Sequence, residues 1–306
     1  MPWPGQLRPF WDELKKLLKV FPIMTKQTYL ALVFLFSYAI GAAQNTPPMS
    51  VLDSKNLIFR GVAELGFVGV LAHNIQFSNS GTRIDYVTDG GQDVLFPVSR
   101  LSLELEIKQK HTLTFLYQPL RLESTALLSR DLIIDELTFP AGTSVDFLYN
   151  FPFFRLSYMK ELAPKKDKFD FAFGLSLQIR NATISFESTD GTLFRSNRDI
   201  GPVPILKFRT RYSYNSLTYT EIEADGFYAP VSYLNGSDNE VIGAILDASL
   251  RQGLKVSPEV GTFLNLRYLG GGAVGTSDDD PGPGDGYVRN WLNFLTVTAG
   301  FSYEFN

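Results

Sequence analysis

Residues 169–180 read Phe-Asp-Phe-Ala-Phe-Gly-Leu-Ser-Leu-Gln-Ile-Arg, and this stretch decides the fold. Phe169, Phe171, Phe173, Leu175, Leu177 and Ile179 share one parity, while Asp170, Ala172, Gly174, Ser176, Gln178 and Arg180 share the other. A period of two belongs to a strand, because successive side chains point to opposite faces of the pleat. One face of this strand is therefore apolar throughout and the other polar. The run exceeds the common soluble strand of about 5–6 residues and suffices for a tilted bilayer crossing, which takes about 9–11.

The same alternation recurs in both directions along the chain. Leu101, Leu103, Leu105 and Ile107 alternate with Ser102, Glu104, Glu106 and Lys108, and the pattern returns in 206–213 and 242–251. Ten strand segments are predicted, near 58–71, 94–108, 111–124, 145–161, 168–185, 203–213, 217–227, 241–253, 259–270 and 290–305. Their connections alternate in length. Short ones fall at Gln109-Lys110, Leu162 to Asp167, Tyr214 to Ser216 and Leu254 to Pro258. Long polar ones fall at 72–93, 125–144, 186–202, 228–240 and 271–289. Short turns at one end and long loops at the other suit an all-β, antiparallel up-and-down transmembrane barrel of about ten strands, with eight or twelve as the neighbouring even counts. Breaks in parity near Pro119, Pro152 and Asn181 read as bulges or strand ends.

Composition narrows the alternatives. The 306 residues are 44% hydrophobic and 20% charged, contain no cysteine, and carry a net charge of −4. The missing cysteines exclude disulfide frameworks, zinc-thiolate sites, iron–sulfur clusters and thiol nucleophiles. The near-neutral balance argues against nucleic acid as a partner. A mean hydropathy of −0.01 with a single long apolar run excludes a bundle of spanning helices.

That run is Tyr29 to Ala43, YLALVFLFSYAIGAA, preceded by Met24-Thr25-Lys26. A short basic stretch, an apolar stretch and small residues at the end form a secretory signal peptide, with cleavage expected just after Ala43. Residues 1–43 are thus assigned as a start-site extension plus signal, 44–56 as a polar lead-in, and 57–306 as the barrel.

The chain ends in FSYEFN, residues 301–306, an alternating strand closing on aromatics. This ending resembles the C-terminal signature of bacterial outer-membrane β-barrel proteins, although Phe305 is penultimate and Asn306 is last. The resemblance implies residence in the outer membrane of a diderm bacterium, contact with its lipid, and insertion by the barrel-assembly machinery through the final strand.

If the apolar faces meet lipid, the polar faces line the lumen. The inward parity then carries 11 charges of each sign: Arg60, Arg100, Lys108, Arg121, Arg155, Arg180, Lys207, Arg209, Arg211, Arg251 and Arg267 against Glu64, Glu104, Glu106, Glu123, Asp146, Asp170, Glu221, Glu223, Asp225, Asp247 and Glu304. A tight hairpin near Ser216 sets Lys207, Arg209 and Arg211 beside Glu221, Glu223 and Asp225 as an ion-pair ladder. Ten strands lined by long charged side chains leave little open bore, since aqueous channels take about 16–18 strands.

The expected role is therefore a structural or surface-binding barrel with a largely occluded, charge-paired lumen. A narrow solute channel is the first alternative and a lipid or peptide hydrolase the second. Barrel lipases set His two residues before Ser, and the omptin proteases carry Asp-x-His; neither pattern surrounds His73 or His111. His73 has Asn74 and Ser78 nearby in sequence, and no catalytic residue is assigned. In the last outer loop Asp278, Asp279, Asp280 and Asp285 offer carboxylates on a turning backbone, suited to Ca2+ or to a cation bridging surface lipid, with plain solvation as the other reading. Gly270 to Gly272 reads as a strand exit. A ligand at the outer loops completes the expected partners.

Overall fold

A computed structural model describes residues 57–162, 168–230, 241–276 and 284–305. The start-site extension, signal peptide and lead-in lie outside the described residues. Among those described, all regular structure is β: β1 (Leu57–Phe77), β2 (Ile84–Asp85), β3 (Leu95–Ile107), β4 (His111–Gln118), β5 (Arg121–Leu127), β6 (Leu132–Ile134), β7 (Leu137–Phe139), β8 (Ser144–Asn150), β9 (Phe153–Glu161), β10 (Phe169–Ser188), β11 (Phe194–Ser213), β12 (Thr218–Pro230), β13 (Ile242–Lys255), β14 (Val260–Thr276) and β15 (Tyr287–Phe305).

Ten of these close a barrel in the order β1, β3, β4, β9, β10, β11, β12, β13, β14, β15, each antiparallel to the next. The closing seam pairs β1 with β15 from Phe59↔Phe305 to Phe77↔Val288, with a single register shift between Val70 and Ala72. A sheet closed on itself leaves no free edge, the condition for a β structure in hydrocarbon. The outward faces supply the matching apolar belt, with Phe67, Leu103, Phe115, Leu156, Leu175, Leu206, Leu250, Leu266 and Val297 exposed.

Strands run further than their alternation predicts, so some expected loops are short. Residues 186–202 belong mostly to β10 and β11, which pair from Phe169↔Tyr212 to Glu187↔Phe194. Gly270, Gly271 and Gly272 are not a strand exit: they sit within β14, and a side chain at Gly271, with φ of 138°, would meet the Ala244 carbonyl at 2.2 Å. Glycine is what lets the backbones approach there. Pairing of β11 with β12 stops at Leu206↔Gly226, while β10 continues along β11 past Pro202 and Pro204. Two prolines two apart face the same neighbour and donate no ladder hydrogen bond, which fits an open strand edge.

Two of the three expected breaks are strand ends, since β4 stops at Gln118 before Pro119 and β8 at Asn150 before Pro152, whereas β10 runs through Asn181. Inward residues keep one parity through Gln118, Leu120 and Leu122, through Phe147, Tyr149, Phe153 and Arg155, and through Gln178, Ala182, Ile184 and Phe186, all buried. What changes is the chemistry of each face. Below the change the outward residues are Phe115, Leu156 and Leu177; above it they are Glu123, Asp146 and Glu187. The change occurs at one height, because Tyr117 pairs with Phe154 and Phe154 with Ile179. There the wall leaves the apolar belt, so its outer face turns polar while its inner face packs an apolar cap.

Arg121, Glu123, Asp146 and Lys108, expected in the lumen, are corrected accordingly. Arg121 and Glu123 pair with each other on the outside, with side-chain exposures of 44% and 58%. Asp146 points outward, and Lys108 sits exposed in the β3–β4 turn. The apolar cap comprises Ile75, Phe77, Ile84, Tyr86, Leu122, Leu132, Phe139, Phe147, Tyr149, Phe186, Leu292 and Phe294, drawn from the wall and from the segments folded over its mouth.

Candidate functional site

The lumen below the cap is a stack of charged layers, because each wall strand contributes alternate residues to it. Lys207 faces Asp225, Arg209 faces Glu223 and Arg211 faces Glu221 in the β11–β12 register. Lys207 Nζ lies 2.9 Å from Asp225 and 2.6 Å from Glu223, and Arg211 binds Glu221 at 2.5 Å. Arg209 turns instead to Glu161 on β9. The two triplets thus share a face, but one rung is exchanged for a partner from another strand. Glu161 lies on the inward parity of Arg155, where alternation alone could have found it; its place beside a turn hid it.

Two hubs tie the layers together. Arg155 reaches across from β9 and places Nη1 at 3.0 Å from Asp225 and 2.8 Å from Asp247, while its other nitrogens donate to Gln178 at 3.0 and 2.7 Å. Arg267 adds a second guanidinium on Asp247 and donates to Gln118 at 2.6 Å. Glu64 is the other hub, accepting from Asn265 and Thr298 at 2.9 Å each and from Arg251 at 3.3 Å, with Arg100 at 3.8 Å. Arg251 also bridges to Glu221 at 3.0 Å and lies over the Phe263 ring at 4.1 Å. The neutral partners Gln118, Gln178, Asn265 and Thr298 carry no charge signal and are legible in sequence only as polar residues on the inward parity.

These side chains crowd the middle of the bore, and the apolar cap packs above them. Arg155, Asp225, Asp247, Lys207 and Arg267 are all buried at this level. Toward the turns the lumen holds a cavity of about 80 Å³, which Arg60, Arg209, Arg211, Tyr219, Glu221 and Arg251 help to line. Arg60 at its rim pairs with Glu104 at 2.9 Å and Glu304 at 2.5 Å.

The histidines occupy different places. His73 is fully buried in the cap, stacked on Tyr86 with ring centroids 4.3 Å apart and edge-on to Tyr149 at 4.4 Å. Its Nδ1 is 2.8 Å from Gln92 Oε1, so its partner is neither Asn74 nor Ser78. His111 stands at the turn end with Nδ1 2.8 Å from the Tyr158 hydroxyl. Among the described residues neither imidazole is hydrogen-bonded to a serine or a carboxylate.

Of the four loop aspartates, Asp278, Asp279 and Asp280 lie outside the described residues. Asp285 accepts backbone N–H bonds from Asn79 at 3.0 Å and Tyr287 at 3.0 Å, which hold its carboxyl below the usual range. Among the described residues no group of three or more His, Asp or Glu side chains is placed to hold a metal ion.

Fold and wall together define the class: a closed ten-stranded up-and-down barrel of the kind that bacterial outer-membrane proteins adopt. No protein-family model matches the chain, and no curated protein matches its sequence. Solved structures with similar folds include the outer membrane protease OmpT from Escherichia coli, at 12% identity and a TM-score of 0.44 over 81% of this chain and 97% of that one. Neisserial surface protein A is similar at 12% identity and 0.31 over 81% and 97%, and OprG from Pseudomonas aeruginosa at 12% and 0.30 over 82% and 96%.

Proposed function

We propose that the protein resides in the bacterial outer membrane, turns toward the periplasm and loops outward, as a structural or surface-binding barrel that is closed to solutes. The observation that carries this reading is the double closure of the bore. An ion passing the middle would have to separate Arg155 from Asp225 and Asp247, and above them it would meet the apolar cap. Breaking a buried pair costs about 3–5 kcal/mol, because the partner left behind is an unsolvated charge. The turn-side cavity is the feature that keeps a narrow channel as a second reading, since its lining reaches up to Arg155 and Lys207. A hydrolase at the outer mouth fits less well, because His73 is sealed among aromatic rings.

Reconstitution into planar bilayers tests this. Insertion without stable conductance is expected, together with a gel mobility that differs between unboiled and boiled samples. Porin-size conductance would overturn the closed-barrel reading, and recovery as a soluble protein needing no detergent would overturn the membrane reading.

A further inference from the structure

We infer that the turn end of the wall carries a binding site for the anionic headgroup of a phospholipid in the periplasm-facing leaflet, formed by Lys108, Lys110 and Lys160. The inference rests on the membrane orientation proposed above. Lysine is segregated along the barrel axis. Of the described lysines, Lys207 is buried in the lumen, while Lys108, Lys110, Lys160, Lys168 and Lys255 are exposed and all lie at the turn end. The exposed cations of the loop end, Arg83, Arg121, Arg130 and Arg198, are all arginines.

Within the turn end three of these five, Lys108, Lys110 and Lys160, stand at the ends of adjacent strands. Lys160 pairs in register with His111, the residue after Lys110, and the Lys110 carbonyl accepts from the Glu161 N–H at 2.8 Å. The three lysines therefore share two adjacent hairpin ends. Among the described residues none of them is ion-paired. Elsewhere on the rim the Tyr214–Leu217 turn is uncharged and Lys255 is accompanied by Glu259.

Lys108 and Gln109 adopt φ of 52° and 54°, and the Lys110 N–H closes the turn on the Ile107 carbonyl at 3.1 Å. The turn has three residues, Lys108 to Lys110, between the paired Ile107 and His111, so both of its lysines stand at the tip of one hairpin.

The surroundings select a lipid over a soluble anion. Lys160 follows Phe154, Leu156 and Tyr158 on the outward parity of β9, directly below the apolar belt. Leu113, Phe115 and Phe173 flank it on β4 and β10, and the His111 ring stacks on Tyr158 at the same level. A phosphate held here has its acyl chains against that apolar surface, as amphipathic lysines at an interface require. Each lysine near an anionic lipid surface contributes about fivefold in affinity.

The full chain folded in neutral detergent, mixed with phosphatidylglycerol or phosphatidylethanolamine of the same acyl chains and read by native mass spectrometry, tests the site. We expect at least tenfold more phosphatidylglycerol retained, and loss of that preference in the Lys108→Gln, Lys110→Gln, Lys160→Gln triple variant. An Arg83→Gln, Arg121→Gln, Arg130→Gln control should keep it. Glycerol phosphate in excess should not compete, and full competition would make the site one for a soluble phosphate and overturn the lipid. A folded wild type without preference, or a triple variant that retains it, overturns the proposal alone. A wild type that forms no detergent-resistant barrel overturns the membrane reading and this inference with it.

Discussion

Asp225 and Asp247 stand directly opposite each other on β12 and β13, and one guanidinium nitrogen of Arg155 lies 3.0 Å from the first and 2.8 Å from the second. Like charges facing across a strand pair are unfavourable, so this arrangement persists only while the cation between them is in place. Lys207 and Arg267 supply the flanking charge on either side. The lumen is thereby organised as shared ions rather than isolated pairs.

Arg155→Met should therefore destabilise the barrel by about 3–5 kcal/mol, the cost of leaving buried charge uncompensated. Adding Asp225→Asn should recover part of the loss, because it removes the facing like charge while Asp247 keeps Arg267 paired and Glu223 keeps Lys207 paired. Urea unfolding followed by Trp291 fluorescence on β15 measures both. A single variant within about 1 kcal/mol of wild type would show that the pair is solvated.

Arg209 distinguishes register from contact. It faces Glu223 across β11 and β12 but pairs with Glu161. A double-mutant cycle of Arg209→Gln with Glu161→Gln should give a coupling of about 1–3 kcal/mol, while the cycle with Glu223→Gln should be close to additive. Larger coupling to Glu223 would restore the simple ladder and remove the exchanged rung.

Much of the wall is legible in the sequence. Alternation in Phe169–Ile179 and Leu101–Lys108 exposes the wall, and the hairpin about Ser216 sets the lysine-arginine triplet against the acidic one. The cap was not legible, because an apolar row reads the same whether it faces lipid or an interior. In β10 the apolar parity moves from Phe173, Leu175, Leu177 and Ile179 to Ala182, Ile184 and Phe186 with continuous register. Such a phase change resembles a bulge in sequence, although here it marks the height at which the wall leaves the belt. Cross-strand contacts such as Arg155 to Asp247 join strands distant in order, so no local pattern specifies them.

The β10–β11 turn provides a pH-dependent element outside the belt. Asp190 accepts from the Ser188 hydroxyl at 2.6 Å and from the Thr192 N–H and hydroxyl at 3.0 and 2.8 Å, which lowers its pKa to about 2. A carboxylate depressed in the folded state supports the turn fully above its unfolded value, about 3.9, and ceases to as pH falls through the folded value. Carboxyl NMR titration should show Asp190 ionised at pH 3, and Asp190→Asn should speed exchange of the Thr192 amide at neutral pH. A midpoint near 4 would mean that the turn is not held by this residue.

The two closures of the bore can be separated, and the order in which they fail is the sharpest test of the architecture. His73, Tyr86, Tyr149 and Phe294 form the centre of the cap, with ring centroids 4.3 to 5.8 Å from His73. Truncating Tyr149 or Phe294 to Ala removes a large buried ring and should cost about 3–5 kcal/mol, opening space at the outer mouth. It should not create a conducting path, because the Arg155–Asp225–Asp247 layer lies below it. Removing the Arg155 bridge and its two acids with Arg155→Met, Asp225→Asn and Asp247→Asn should likewise leave the bore shut, because the apolar cap remains above. Only the combination should yield small, stable currents in a planar bilayer, with folding of each variant checked by gel mobility. Conductance from the cap variant alone would mean that water already threads the charged layer, and the narrow-channel reading would then replace the closed one.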